Sequence, residues 1–119
     1  MDSEINCTCA TPPRAERIAR LNDTLRTRGG GGNLTATAGV RSLPDFDPVA
    51  LAMALANYAA FDHENDTHGE RDFGDINLFN ADLFWKIDYD DLEQKFGSED
   101  PADERVTARV LTVMLVSEY

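Results

Sequence analysis

The chain has 119 residues, 22 Asp and Glu against 11 Lys and Arg, a net charge of −11, 42% hydrophobic residues and two cysteines. That length fits one domain and leaves no room for a second catalytic one, and the composition is that of a globular protein, not a collagen-like or low-complexity chain. The acid excess argues against direct contact with nucleic acid or an anionic membrane, because both need Lys and Arg set against phosphate.

The longest apolar runs fall short of the roughly 18 residues needed to cross a bilayer. The segment Met1–Cys7 is acidic where a signal peptide would be basic, so the expected location is the cytoplasm. There Cys7 and Cys9 are expected as reduced thiols, since a Cys-x-Cys pair supplies two soft ligands and cannot close a tetrahedral site unaided. Residues 1–10 show no periodicity and read as a flexible tail, followed by a single α+β domain over 11–119.

Pro12 and Pro13 suit the opening turn of a helix, where a missing N–H costs nothing, and Ile18, Leu21 and Leu25 then recur on one face. The run Gly29–Gly32 stops that helix. A phosphate-binding loop would need a preceding strand and a Lys-Ser/Thr after the last glycine; here a helix precedes and Asn33-Leu34 follows, so the run reads as a connector. Leu34–Ala38 alternates and predicts a first strand. Asp47 as N-cap and Pro48 at the first helical position predict a second helix, with Leu51, Leu55 and Tyr58 on its apolar face. After a polar loop over His63–Asp72, Ile76–Phe79 and Leu83–Tyr89 predict a hairpin turning at Asn80-Ala81-Asp82, with Leu83, Trp85, Ile87 and Tyr89 facing the core. Asp100 and Pro101 then suggest a third helix whose Val106, Val110, Val113 and Met114 form a core stripe. This order predicts an α+β fold: a small, mostly antiparallel, three-stranded sheet with about three helices packed on it.

Charge is placed unevenly. Arg14 to Arg28 carries +3, whereas Asp45 to Glu104 carries −14. Within the acidic part, His63 to Asp72 holds both histidines and four acids, ligand types that suit a divalent ion. Read as an EF-hand from Glu64, the segment puts Asp66, His68, Gly69, Asp72 and Asp75 at ligand or turn positions, but lacks the opening Asp and the closing Glu. The alternative function is therefore a divalent-metal-binding protein or metal-dependent enzyme using His63, Asp66, His68, Glu70 and Asp72. The simpler account is a solvated loop. A second acidic cluster, Asp88, Asp90, Asp91 and Glu93, lies at the end of the second hairpin strand, where spaced carboxylates resemble a phosphate array, a DNA mimic in charge. No Ser or Cys has a neighbouring motif that would activate it as a nucleophile, so no catalytic residue is assigned.

The segments Asn65–Gly74, Leu83–Asp91 and Phe96–Tyr119, with Ile18–Asp23 and Thr37–Val40 upstream, resemble an uncharacterised bacterial family. That family consists of short acidic proteins of unknown function, found mainly in alphaproteobacteria and often on plasmids or phage-like regions. The resemblance spans roughly Arg17 to Tyr119. Similar sequences commonly carry Asp-Gly where this chain has Asn80-Ala81, and often His where it has Arg71. The family implies no activity to transfer; it implies a mobile-element origin. The leading expectation is a non-enzymatic acidic interaction module without a cofactor, docking on a basic, nucleic-acid-binding protein as an anti-CRISPR or anti-restriction type inhibitor would. Its contact residues are expected to be Asp66, Glu70, Asp72, Asp75, Asp88, Asp90 and Asp91. A third possibility is a homo-oligomer sealed through the apolar C-terminal helix.

Overall fold

The computed structural model describes residues 12–119; the tail over 1–10 and the two cysteines fall outside the described residues. Helix α1 (Arg14–Arg28) is followed by strand β1 (Gly32–Ala36), the short helix α2 (Ala38–Arg41), helix α3 (Pro48–Ala56) and strands β2 (Phe73–Leu78), β3 (Ala81–Asp90) and β4 (Ala108–Leu115). A 3-10 turn over Val116–Glu118 closes the described chain. The four strands form one mixed sheet in the order β1-β4-β3-β2. Here β1 runs parallel to β4, and the other pairs are antiparallel.

Helix α1 starts behind Pro13 and ends at Gly29, which is left-handed (φ 74°) and returns its N–H to Leu25 O. No L-side chain adopts that conformation as cheaply as glycine, and the helix stops there. At the other end of the glycine run a Cβ on Gly32 would meet the Arg109 carbonyl at 2.5 Å. The run thus turns a helix into a strand lying close against β4. Asp47 caps α3 by accepting from Val49 N, with Pro48 at its first turn, as the sequence indicates.

The predicted C-terminal helix is the principal correction. Residues 108–115 are strand β4, hydrogen-bonded between β1 and β3. Asp100 and Pro101 open a turn instead of a helix: Asp100 Oδ1 accepts from Ala102 N at 3.1 Å and Asp100 O accepts from Asp103 N at 2.9 Å. The segment is apolar on two faces because a central strand meets side chains on both sides of the sheet, and its β-branched Val110, Thr112 and Val113 suit that place. Among the described residues the sheet therefore has four strands and mixed pairing, not three, and the segment expected to seal an oligomer as a C-terminal α-helix is a strand inside the sheet. The hairpin also turns one residue earlier than predicted. Leu78 pairs with Ala81, so the loop is Phe79-Asn80, both with φ 58°, the geometry of a two-residue turn matched to strand twist. Phe79 is held there by its edge-on contact with Phe46, 5.5 Å between ring centres.

All three helices contribute to one side of the sheet. Leu83, Trp85, Ile87, Leu111 and Val113 from the strands meet Leu25, Val40, Leu51, Leu55 and Tyr58 in a single core. The opposite side carries Phe73, Asp75, Asn77, Asp82, Phe84, Lys86, Asp88, Asp90, Val110 and Thr112, placed there by cross-strand register. Met114 falls on this side too and is buried, and Tyr119 packs there on Phe73 and Phe84; beyond this the described residues put no second layer over it.

Candidate functional site

Two constellations account for the polar residues of interest, and they lie on opposite sides of the sheet. The first is built on two buried side chains, Asn22 and Arg109. On α1 the apolar stripe Ile18, Ala19, Leu25 is interrupted by Asn22, which has no exposed surface. Its Nδ2 donates to Tyr89 Oη at 2.8 Å and to Glu70 O at 3.0 Å, and its Oδ1 accepts from Arg109 Nε at 2.9 Å. Tyr89 Oη in turn donates to Glu70 Oε1 at 2.8 Å. The Arg109 guanidinium also donates to Pro101 O and lies over the Tyr89 ring, 5.3 Å from its centre. Arg109, at 1% exposure, occupies a position where strand alternation calls for a core residue.

Around this line runs a ring of ion pairs. Arg71, itself left-handed (φ 54°), reaches back to Asp23 at 2.8 Å and Glu16 at 3.4 Å on α1. Arg26 pairs with Asp23 at 2.8 Å and donates to Leu55 O, its guanidinium lying over Phe61 and Trp85. Arg14 meets the acidic body at Asp100, 3.1 Å away. The basic helix is thus docked on the body partly by its own acids, which receive Arg71.

Burial fixes the electrostatics here. Tyr89 is pushed well above the usual phenol range, chiefly by burial, with the charge of Asp72 adding to it. Asp72 is raised above the usual carboxylate range, first by burial and then by the charge of Glu70. An acid whose pKa is higher folded than unfolded contributes stability below its unfolded pKa and loses it as pH rises through the folded one. Asp72→Asn is therefore expected to melt higher than the native protein at neutral pH, with the gap closing below about pH 4. Thermal melts at both pH values check this; an equal gap at the two would show that the cost is not one of ionisation.

The second constellation is on the uncovered side of the sheet. Asp75 lies opposite Phe84 and Asp82 two residues before it, with Asp88 and Asp90 further along the same strand; Phe84 packs with Phe73 and Tyr119 at 5.1 and 5.2 Å between ring centres. The cation among them, Lys86, is paired with Asp88 at 3.0 Å.

The seven acids singled out in the sequence therefore divide. Asp75, Asp88 and Asp90 share the uncovered face. Asp91 begins a turn, accepting from Lys95 N at 3.0 Å. Glu70 accepts from Tyr89 Oη at the half-buried end of the Asn22 line, Asp72 is half-buried, and Asp66 accepts from Arg71 N at 2.9 Å. The five residues of the metal alternative are not gathered: among the described residues no three of His, Cys, Asp and Glu come together as an ion would require. His63 and His68 are exposed on a loop whose turns are closed by Asp62 Oδ1, accepting from Glu64 N and Asn65 N. Asp72 turns inward and Asp75 outward across β2, so the EF-hand spacing does not fold as a loop. Asn22, Arg109 and Arg26 were missed in the sequence. A polar residue inside an apolar helical stripe was the signal for Asn22; Arg109 carried none while its segment read as a helix.

Among the described residues no helix is long and apolar enough to cross a membrane. Comparison with family models places residues 36–118 in a family described as protein of unknown function (DUF3768), and the chain belongs to that family. The match covers the sheet from the end of β1 onward and leaves α1 outside. Comparisons with curated proteins and with solved structures give no match.

Proposed function

We propose that this DUF3768 member is a non-enzymatic interaction module that docks through an acidic surface on a basic, nucleic-acid-binding protein. The uncovered sheet face supports the reading. Its aromatic centre, Phe84 with Phe73, offers packing area, and carboxylates follow it along β3 at Asp82, Asp88 and Asp90, with Asp75 beside it on β2. Such a surface suits arginine, which stacks on rings and pairs with carboxylates. The buried polar line supports it from the other direction, because its groups are engaged by one another and hold α1 on the sheet. The resemblance to plasmid- and phage-borne proteins makes a host defence complex the partner class, and the module an anti-CRISPR or anti-restriction type inhibitor.

The test is capture by the tagged protein from nuclease-treated host lysate, washed at low and high salt. A basic nucleic-acid-binding protein should be retained at low salt and lost at high salt, as charge-led association requires. The variant Asp75→Lys, Asp88→Lys, Asp90→Lys should weaken that capture at least about tenfold, or 1.4 kcal/mol, with its melting temperature nearly unchanged, since exposed pairs such as Lys86–Asp88 contribute about 0–1 kcal/mol. Undiminished capture by the triple variant would refute the reading.

A further inference from the structure

We propose that the uncovered sheet face carries a receptor for a single arginine of the docking partner, formed by Asp75, Phe73, Phe84 and Tyr119. The inference rests on the docking reading above and names the side chain that the partner must supply. Phe73, Phe84 and Tyr119 pack in a triangle, with ring centres 5.1, 5.2 and 5.7 Å apart. Tyr119, 75% exposed, leaves the cluster open to solvent. Asp75 stands beside it. Ile87 N donates to Asp72 O at 2.8 Å, and alternation from that bond makes Asp75 and Phe84 a pair of the close, non-hydrogen-bonded kind. Side chains of such a pair start with their Cβ atoms roughly 4.5–5.5 Å apart, so the carboxylate borders the ring.

Two other acids of this face are engaged within the chain. Asp82 accepts from Asn77 Nδ2 at 2.8 Å, and Asp88 pairs with Lys86 at 3.0 Å. Asp75 is exposed, and among the described residues its carboxylate stands in no ion pair or side-chain hydrogen bond. What such a set holds is visible on the other side of the sheet. There the Arg26 guanidinium lies over Phe61 and Trp85, 5.2 and 5.8 Å from their centres, and pairs with Asp23 at 2.8 Å. Asp75 with Phe84 and Tyr119 repeats the carboxylate and the rings on the open face. A chain of −11 draws a cation to that place, and the rings select which cation. Guanidinium is planar and weakly hydrated, so it stacks on a ring while its N–H fork pairs with a carboxylate; the ammonium of lysine is a strongly hydrated point charge that does neither as well.

End-capped hexa-arginine and hexa-lysine peptides, titrated into the full chain, provide the test, read by calorimetry and by the ring resonances of Phe84 and Tyr119. Hexa-arginine should bind at least about threefold tighter, the margin that stacking of a cation on exposed rings supplies, and should shift both rings. Tyr119→Ser should bring hexa-arginine down to the level of hexa-lysine, and Asp75→Asn should weaken hexa-arginine more than hexa-lysine; both changes fall at exposed positions and leave the core untouched. The double variant Asp88→Lys, Asp90→Lys should weaken the two peptides alike and keep the preference, because those acids act by charge alone. Equal binding of the two peptides, or a preference that survives both Tyr119→Ser and Asp75→Asn, would overturn the arginine receptor while leaving the docking reading in place, since docking by charge does not distinguish the two cations. Binding of neither peptide would overturn it as well, and capture from lysate then shows separately whether the docking reading stands.

Discussion

Replacing Asn22 with leucine is expected to destabilise the fold by about 3 kcal/mol, although leucine suits a helix and the site is buried. The substitution removes an acceptor from the Arg109 guanidinium and a donor from Tyr89 Oη at once. Arg109 is 1% exposed and water does not reach it in compensation. An uncompensated buried charge costs about 3–5 kcal/mol, and neutral groups left unpaired cost about 1–3 kcal/mol. What remains to Arg109, the Pro101 carbonyl and the Tyr89 ring, offsets part of this. Urea unfolding should show a lower midpoint with the slope unchanged. The second arm is Arg109→Met, alone and combined with Asn22→Leu. If the two side chains act through each other, the double variant should lose about 1–2 kcal/mol less than the sum of the single ones, because methionine leaves no charge to satisfy. Additive losses would mean that Asn22 matters through Glu70 and Tyr89, and that Arg109 is held from the Pro101 side.

This network also shows where the sequence stops being informative. Helix α1, the cap of α3 and the β2–β3 hairpin follow from signals within a dozen residues: a glycine stop, an Asp-Pro start, a strict alternation. The partners of Asn22 are 48, 67 and 87 positions away, and no spacing rule spans such distances. Strand β4 was lost to a different cause. Its two-sided apolar pattern is compatible with a buried helix, and an Asp-Pro pair such as Asp100-Pro101 signals a turn as well as a helix start. Reading Thr107–Leu115 as a strand would have put Arg109 on the core face and raised the question of its partner. The acidic residues were legible as residue types but not as a surface, since the side of the sheet on which each falls depends on the register of β2 with β3 and of β3 with β4.

Gly74→Ala is the second substitution expected to have a large effect, and its sign runs against propensity. Alanine in place of glycine usually gains about 0.4–1 kcal/mol by restricting the unfolded chain. At Gly74 a Cβ would fall 2.6 Å from both Trp85 Nε1 and Tyr58 Cζ, and 2.8 Å from Trp85 Cε2. Neither ring has room to retreat: Trp85 has no exposed surface, Tyr58 has 9%, and the two meet edge to face at 5.4 Å, with Phe61 on both. Overpacking of this kind costs about 1–3 kcal/mol, and rigid aromatic neighbours put the expected loss at the upper end. Trp85 is the one tryptophan in the chain, so its fluorescence reports the displacement directly, alongside the loss in unfolding midpoint. Gly97→Ala is the control: its Cβ would meet nothing nearer than Tyr89 O at 3.9 Å, and it should be neutral or slightly stabilising. If both substitutions behaved alike, the glycine of the Asp72-Phe73-Gly74 motif would owe its place to something other than the approach of β2 to Trp85, and the packing that sets β2 against β3 beneath the acidic face would need another explanation.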